Sequence, residues 1–251
     1  MKIGIVGSGN VAFHLAQGLK DADHQISYIM GRNELIGRDL AIRVSSDFFF
    51  NVPDIEVDWV IVCVNDDSII PVIEQFPSTQ KIAYTSGTVN LNTVLQHVQN
   101  EVGVFYPLQS FSKEREVNLF EVPFLIEAKE DASAKELFDL AWSISRKVQF
   151  CTSEQRKHYH VAAVFVNNFS NHLFQIGKEH VEANDLNFEV LYPLIQETVQ
   201  KAMDLSPFEA QTGPARRNDQ KTILEHLQLL DEPQQTIYEQ MTNSIIKTYQ
   251  K

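Results

Sequence analysis

The chain has 251 residues, 43% of them hydrophobic, and a formal net charge of −12 from 21 basic and 33 acidic residues. A chain of this length and composition folds as one large or two modest globular domains. The acidic excess disfavours nucleic acid and anionic membranes as partners, although it leaves room for a local basic pocket that holds a phosphorylated cofactor.

Hydropathy and cysteine content indicate a cytoplasmic protein. No apolar run approaches the roughly 20 residues that a membrane span needs, and the first residues lack the basic and apolar regions of a secretory signal. The two cysteines, Cys63 and Cys151, lie in or at the end of apolar strand-like runs. We expect them to be free, buried thiols in a reducing compartment.

The first predicted strand, Lys2–Val6, runs into a glycine turn and then a helix. The turn reads Gly7-x-Gly9-x-x-Ala12, a form of the dinucleotide-binding fingerprint. Its first glycine makes the tight turn, its second lets the backbone approach a pyrophosphate, and its alanine lets the helix pack closely. The helix N-terminus adds free N–H groups and a partial positive charge. The predicted cofactor contacts here are Gly7, Ser8, Gly9, Asn10 and Val11.

Strand-like and helical runs alternate through the first 151 residues. The predicted strands are Lys2–Val6, Gln25–Met30, Val57–Val64, Lys81–Thr85, Val102–Tyr106, Phe124–Glu127 and Lys147–Cys151, and the predicted helices are 10–21, 67–76, 90–99 and 131–145. The third strand is continuously apolar from Trp59, as expected of a central strand buried on both faces. This alternation predicts an α/β fold with a doubly wound parallel sheet.

After Cys151 the pattern is helical only, over 153–183, 188–204, 218–229 and 232–249. Ser206 before Pro207 predicts a helix N-cap followed by proline at the first helical position. We therefore predict a Rossmann domain over 1–151 and an all-helical domain for substrate binding and dimerisation over 152–251.

The choice of cofactor is read at the end of the second strand, where an NAD site places Asp or Glu. Here the chain has Met30, Gly31, Arg32 and Asn33. Arg32 is suited to a 2′-phosphate, with Asn33 beside it, although a solvated loop arginine is the alternative. Glu34 remains open as a displaced ribose ligand. This pattern favours NADP over NAD.

Polar residues also follow the later strands. Val64 and Asn65 end the buried strand, where open sheets bind ligands, so both are predicted cofactor contacts, whereas Asp66 or Asp67 is expected to cap the next helix. Ser86 follows the fourth strand and is placed either to bond a ligand or to make a turn. The predicted substrate contacts after the fifth strand are Tyr106, Gln109 and Ser110.

The helical half carries two further groups of polar residues. At regular helical spacing, His160, Ala163, Val164, Asn167 and Asn171 share one face, which suits either a substrate wall or a buried polar network. The histidines there lack the spacing of a metal site, so no metal is expected. The turn over 212–219 offers arginines for an anionic ligand, with Asn218 or Asp219 as a helix cap in the alternative.

These segments resemble a bacterial family of Rossmann-like proteins, proposed to be NADP oxidoreductases, whose second domain is a helical domain of unknown function. That family is related to pyrroline-5-carboxylate reductase and to deazaflavin-dependent NADP oxidoreductases. The resemblance covers nearly the whole chain. The matching residues are Ser86-Gly87, Pro107 to Phe111, Arg156, Tyr159-His160, Ala162-Ala163, Asn167, Gly213-Pro214, Arg217 and Asp219.

Two departures from the family pattern matter. Tyr106 stands where the family usually has histidine, which argues against proton transfer at that position. Asn218 replaces a glycine, and asparagine tolerates the left-handed backbone that the turn needs. The resemblance implies a Rossmann domain followed by an all-α domain of the 6-phosphogluconate dehydrogenase C-terminal type.

The sequence therefore predicts an NADP-dependent oxidoreductase that reduces a small carbonyl or imine acid, with a ketopantoate-like 2-keto acid as one option. His160 is the predicted proton donor, because histidine exchanges protons near neutral pH, with Asn167 and Ser86 as further catalytic candidates. Arg217 and Asp219 are predicted to contact an anionic substrate, and a homodimer is expected. The alternative is a non-catalytic NADP-binding or sensor protein.

Overall fold

The computed structural model describes residues 1–249 and divides the chain into two compact units, Met1–Asn167 and a second unit that begins at Asn168. The first unit therefore extends past the predicted boundary at residue 151 into the first long helix. As a division between a cofactor domain and a substrate domain, the boundary at 151/152 stays a prediction.

The first unit is built on one eight-stranded sheet. Its strands are β1 (Lys2–Val6), β2 (Gln25–Met30), β3 (Asp47–Phe49), β4 (Trp59–Val62), β5 (Ile82–Tyr84), β6 (Val102–Pro107), β7 (Phe124–Ala128) and β8 (Val148–Phe150). The strand order is β3-β2-β1-β4-β5-β6-β7-β8, and every neighbouring pair is parallel except β6–β7. The predicted doubly wound α/β fold is confirmed.

Helices connect these strands and cover both faces of the sheet. They are α1 (Asn10–Asp21), α2 (Glu34–Arg43), α3 (Ile69–Ile73), α4 (Leu91–Leu95), α5 (Asp131–Ile144) and α6 (Ser153–Ala163), with short 3₁₀ turns at Asp66–Ser68 and Leu119–Glu121. In α1, the residues Ala12, Leu15, Ala16 and Leu19 are buried at the spacing of one helix face. Separate apolar clusters on the two faces of the sheet complete this core.

Some elements differ from the sequence prediction. The strand β3 and the helix α2 were not predicted, because β3 is a three-residue edge strand and α2 has only a weak apolar stripe. The long helix that was predicted from 153 to 183 changes winding at a π-helical segment, Val164–Phe169. Since π turns form i→i+5 hydrogen bonds, the regular spacing behind the predicted polar face holds only as far as Ala163.

The second unit is all-helical, as predicted. Its elements are α7 (Ser170–Glu182), a 3₁₀ turn (Phe188–Leu191), α8 (Tyr192–Leu205), α9 (Pro207–Ala210), α10 (Pro214–Arg217), α11 (Gln220–Leu227) and α12 (Gln234–Tyr249). Ser206 caps α9 by accepting a hydrogen bond from the Glu209 backbone N–H, which confirms the predicted N-cap. Asn218 is left-handed, with φ 54°, as expected for the residue that replaces glycine.

A buried ion pair fixes the start of α6 to the sheet. The guanidinium of Arg156 is fully buried and pairs with Glu127 on β7, donates to the Val89 carbonyl and lies 3.2 Å from the Ser153 hydroxyl. Ser153 in turn donates to Glu127 at 2.7 Å and accepts from the Leu91 backbone N–H at 3.0 Å. This network determines where the following turn of α6 lies.

We predict that Arg156→Met lowers the free energy of unfolding by about 3 kcal/mol or more, because the Glu127 carboxylate loses its buried partner. Urea denaturation followed by circular dichroism measures the change. The control is Lys135→Met, which removes one member of the exposed Lys135–Asp139 pair, with a side chain 73% accessible, and should cost much less. Equal losses in the two variants would contradict the assigned role of Arg156.

Candidate active site

The glycine turn after β1 has the geometry of a close backbone approach. Gly7 adopts φ +116°, and a Cβ there would lie 2.2 Å from the Cys63 carbonyl oxygen. Its N–H donates to the Met30 carbonyl at 2.8 Å, which joins the turn to the end of β2. Only glycine fits this position, so the turn presses against β4 as the fingerprint requires. Both cysteines are free, but only Cys151 is buried as expected, whereas Cys63 is half-buried. Desolvation still raises the pKa of the Cys63 thiol to about 12.

The next positions leave room for an anion. A Cβ placed on Gly9 would meet no atom within 4 Å, so its outer side is open. Gly9 is the N-cap of α1, no side chain caps that helix, and its first turn holds no acidic residue. These features fit a pyrophosphate, because uncapped N–H groups and the helix dipole both favour negative charge. The side chain of Val11 packs against the core, whereas Asn10 is exposed.

The loop after β2 presents one free cation. Arg32 is exposed and forms no hydrogen bond or ion pair with any part of the chain between residues 1 and 249. Asn33 caps α2 by accepting from the Ile36 N–H at 3.1 Å. Glu34 pairs with Arg38 one turn later, at 2.8 Å. Arg32 thus stays available to a phosphate, while Glu34 already has a cationic partner.

The loop after β4 corrects one prediction. Neither Asp66 nor Asp67 caps a helix, since neither the 3₁₀ turn nor α3 has a side-chain cap. Instead Asp66 accepts a short hydrogen bond from the Thr88 hydroxyl, which joins the loops after β4 and β5. Asn65 is exposed and Val64 packs on the second apolar cluster, so Asn65 has the side chain open to a ligand.

Ser86 organises its own loop. Its hydroxyl oxygen is buried and accepts from the backbone N–H groups of Thr88 and Val89, at 3.1 and 3.0 Å. A serine turn of this kind fixes the backbone that follows β5. The geometry therefore favours the turn over direct ligand contact, the alternative that the sequence left open.

Gly87 allows two side chains to meet above the sheet edge. A Cβ there would lie 2.6 Å from His160 Nδ1 and 2.8 Å from the Tyr106 hydroxyl oxygen. Tyr106, near the end of β6, and His160, on α6, lie 3.1 Å apart between the hydroxyl oxygen and Nδ1. The Tyr106–His160 pair thus stands at the carboxyl ends of β5 and β6, where doubly wound sheets bind ligands.

In the Tyr106–His160 pair, one imidazole nitrogen is bonded to the phenol and the other is open to a ligand. Burial raises the pKa of Tyr106 above its usual value, with the nearby Asp66 acting in the same direction and Arg156 opposing it. The phenol therefore stays protonated and able to donate at neutral pH. Within residues 1–249, Nε2 of His160 has no hydrogen-bond partner. Because a phenol can either donate to Nδ1 or accept from it, this bond orients the imidazole ring, and Nε2 is the nitrogen that is open to a ligand.

The remaining predicted residues lie at or near the surface. Asn167 is exposed within the π-helical segment, and π segments often occur at functional sites. Gln109 and Ser110 are exposed after β6, and the Gln109 side chain accepts from the Ser110 N–H at 2.8 Å. In the second unit, Arg217 is exposed at the end of α10, and Asp219 caps α11 by accepting from the Thr222 N–H.

The hydrogen bonds of this cap favour the ionised form of the Asp219 carboxylate. It also accepts from the Thr222 hydroxyl at 2.8 Å, and these two hydrogen bonds lower its pKa. The predicted cap at residue 218 or 219 is confirmed at Asp219. Its oxygens are therefore occupied by α11 before any substrate is considered.

A segment that the sequence analysis did not connect with the cofactor lies against the glycine turn. Asn10 donates to the Phe111 carbonyl at 2.8 Å, and Lys113 donates to the Ser8 carbonyl at 2.8 Å. No motif spacing relates these positions, which are separated by about a hundred residues.

Across residues 1–249, no helix is long and apolar enough to cross a membrane.

Two family models match the chain. Residues 2–83 match "NADP oxidoreductase coenzyme F420-dependent", and residues 122–245 match "Domain of unknown function (DUF2520)". No curated protein matches the sequence.

Several solved structures are similar to the chain over nearly its whole length. A candidate NADP oxidoreductase of Bacteroides fragilis is 35% identical over 98% of both chains, with a TM-score of 0.90. The 1-pyrroline-5-carboxylate reductase of Streptococcus pyogenes is 15% identical over 99% of this chain and 98% of its own, with a TM-score of 0.63. An imine reductase of Myxococcus stipitatus, solved with NADP+, is 12% identical over 100% and 93%, with a TM-score of 0.67.

At such low identity the two reductases show a shared fold alone. The Bacteroides protein is similar enough, over nearly all of both chains, to show the family, and the resemblance predicted from the sequence is confirmed. The protein belongs to the NADP oxidoreductase family that joins a coenzyme F420-dependent type of N-terminal domain to a DUF2520 domain.

Proposed function

We propose that this protein is an NADP-dependent reductase of a small carbonyl or imine acid. The observation that carries the proposal is the Tyr106–His160 pair, which places a free imidazole nitrogen at the same sheet edge as an open glycine turn. The two reductases that share the fold act, by name, on an imine or on pyrroline-5-carboxylate. A small branched 2-keto acid, similar to ketopantoate, is a further substrate option.

The chain's own residues suit NADP. The pyrophosphate would bind at the turn from Gly7 to Val11, and the exposed Arg32 would hold the 2′-phosphate, with Asn33, Val64 and Asn65 beside the adenosine or ribose. When bound, NADPH supplies the hydride. The protein must then orient the acceptor and deliver a proton.

His160 is the proposed proton donor. Protonated His160 donates from Nδ1 to the Tyr106 phenol oxygen, and its second N–H, on Nε2, has no protein partner among residues 1–249. Giving up the Nε2 proton leaves a neutral imidazole that is still bonded to Tyr106. Nε2–H is the group that protonates the oxygen or nitrogen of the acceptor as the hydride arrives. Tyr106 is thus a positioning residue for His160, a role that needs no proton transfer at residue 106.

The other predicted contacts are assigned by chemistry. Gln109 and Ser110 offer neutral donors and acceptors beside Tyr106, and Asn167 offers an amide. Arg217 is suited to the carboxylate of an anionic substrate. Asp219 supports that assignment indirectly, by capping the helix that follows Arg217. Ser86 is proposed to act by holding the turn that carries Gly87.

The free cysteines are consistent with a cytoplasmic location.

We predict that His160→Asn slows NADPH oxidation by about 100-fold, in the range expected for a general acid, and that Tyr106→Phe slows it less. The assay uses a panel of 2-keto acids and cyclic imino acids. The matched control is His158→Asn. His158 is exposed and lies two residues before His160, and this variant should keep full activity. If His160→Asn reduced the wild-type substrate at an unchanged rate, His160 would not be the donor.

A wild-type protein that binds NADPH tightly yet oxidises it with no member of the panel would instead support the non-catalytic sensor. Failure to bind either nicotinamide nucleotide would exclude both functions.

For the cofactor, we predict that Arg32→Ala raises the Kd for NADP by about tenfold and leaves the Kd for NAD nearly unchanged, because only NADP carries a 2′-phosphate. Calorimetric titration measures both constants. Arg38→Ala, which removes a cation already paired with Glu34, serves as the control. An equal loss for the two nucleotides would contradict the assignment of Arg32.

We also propose that the protein is a homodimer that associates through its second unit. Neither α7 nor α8 contains a buried residue, although both are amphipathic. On α8, Tyr192, Val199 and Met203 lie on one helix face and are 50%, 51% and 68% exposed. Helices of this kind bury their apolar face against another element, and a second copy related by two-fold symmetry is the commonest such partner.

Light scattering should therefore give twice the 28.7 kDa mass of the chain, and Met203→Asp should give the monomer mass. Ile42→Asp is the control, since Ile42 is also exposed (77%) but lies on α2 of the first unit. A wild-type protein that is monomeric at micromolar concentration would contradict the dimer.

A further inference from the structure

We propose that Lys113 is a cofactor-binding residue whose ammonium binds the pyrophosphate of NADP, an inference that rests on the proposed function. Its Nζ donates to the carbonyl oxygen of Ser8 at 2.8 Å. Ser8 lies between the two glycines of the fingerprint, so this contact puts a positive charge at the turn itself. The fingerprint has no lysine or arginine of its own, since α1 carries neither before Lys20.

The ammonium of Lys113 lies beside the glycine turn without an ion-pair partner in the described part of the chain. In a chain with a net charge of −12, this half-buried ammonium forms no ion pair with any carboxylate between residues 1 and 249. The ammonium itself lies over the ring of Phe13, with Nζ 5.8 Å from the ring centroid. A lysine has three N–H donors, and the Ser8 carbonyl uses one of them. The remaining donors are those that an anion at the turn would engage.

Backbone contacts hold Lys113 in place independently of its charge. The two preceding residues, Phe111 and Ser112, bond through their carbonyl oxygens to side chains of α1. Asn10 donates to Phe111 at 2.8 Å, and His14 Nε2 lies 2.9 Å from the Ser112 oxygen. Because these contacts do not involve the ammonium, the segment from Phe111 to Lys113 should keep its position when Lys113 is replaced.

The proposal predicts a pattern that differs from that of Arg32. The pyrophosphate is common to NADP and NAD, whereas the 2′-phosphate occurs in NADP alone. Loss of the Lys113 ammonium should therefore weaken both nucleotides by the same factor. Loss of Arg32 should weaken NADP only. Lys113 and Arg32 thus bind different parts of one ligand, the pyrophosphate and the 2′-phosphate.

The test is calorimetric titration of Lys113→Met with NADP and with NAD. We expect both Kd values to rise by about tenfold, the loss of one charge-assisted hydrogen bond, and Lys113→Arg to restore most of the affinity. The matched control is Arg115→Met, which removes the same charge from the same loop at an exposed position. It should change neither Kd by more than about twofold. Thermal unfolding of each variant without ligand verifies the fold.

The outcomes separate the inference from the function beneath it. If the wild type binds NADP and Lys113→Met behaves like Arg115→Met, the role of Lys113 is overturned and the proposed function stands. A loss confined to NADP would also overturn it, since Lys113 would then read the 2′-phosphate. If the wild type binds neither nucleotide, both fail together.

Discussion

The buried pair between Arg156 and Glu127 is the interaction on which the candidate site depends. A charge without solvent is tolerated only when it is paired and hydrogen-bonded. Here Glu127, Ser153 and the Val89 carbonyl bind the two terminal nitrogens of the guanidinium, whereas the buried Nε has no hydrogen-bond partner among residues 1–249. These partners come from β7, from α6 itself and from the loop after β5. One side chain therefore joins the first turn of α6 to two parts of the sheet, and His160 follows one turn later.

The polar groups of the site then gather at one sheet edge because parallel strands end there together. The glycine turn follows β1, Asn65 follows β4, Gly87 follows β5 and Tyr106 ends β6. At two of these places glycine allows neighbouring groups to pack closely against the backbone, since any side chain at Gly7 or Gly87 would collide with them. The fold thus brings an anion-binding turn and a donor pair to the same side of the sheet.

Local patterns were enough to predict the glycine turn, the strands of the central sheet, the helical second half and the caps at Ser206 and Asp219. The Tyr106–His160 contact could not be predicted, because it joins residues 54 positions apart and no local pattern relates them. Asp66 was expected to cap a helix, yet Thr88 on another loop binds it. The π-helical segment was missed because a single wider turn leaves no mark in apolar spacing.

The most direct test of the account is a double-mutant cycle on Tyr106 and His160. The measured quantity is kcat/KM for NADPH oxidation with the substrate that the wild type reduces fastest. If Tyr106 acts only by holding His160, the double variant Tyr106→Phe/His160→Asn should be about as slow as His160→Asn alone, since a positioning residue has no effect once its target is absent. Rate losses that multiply would show two independent roles and contradict the account.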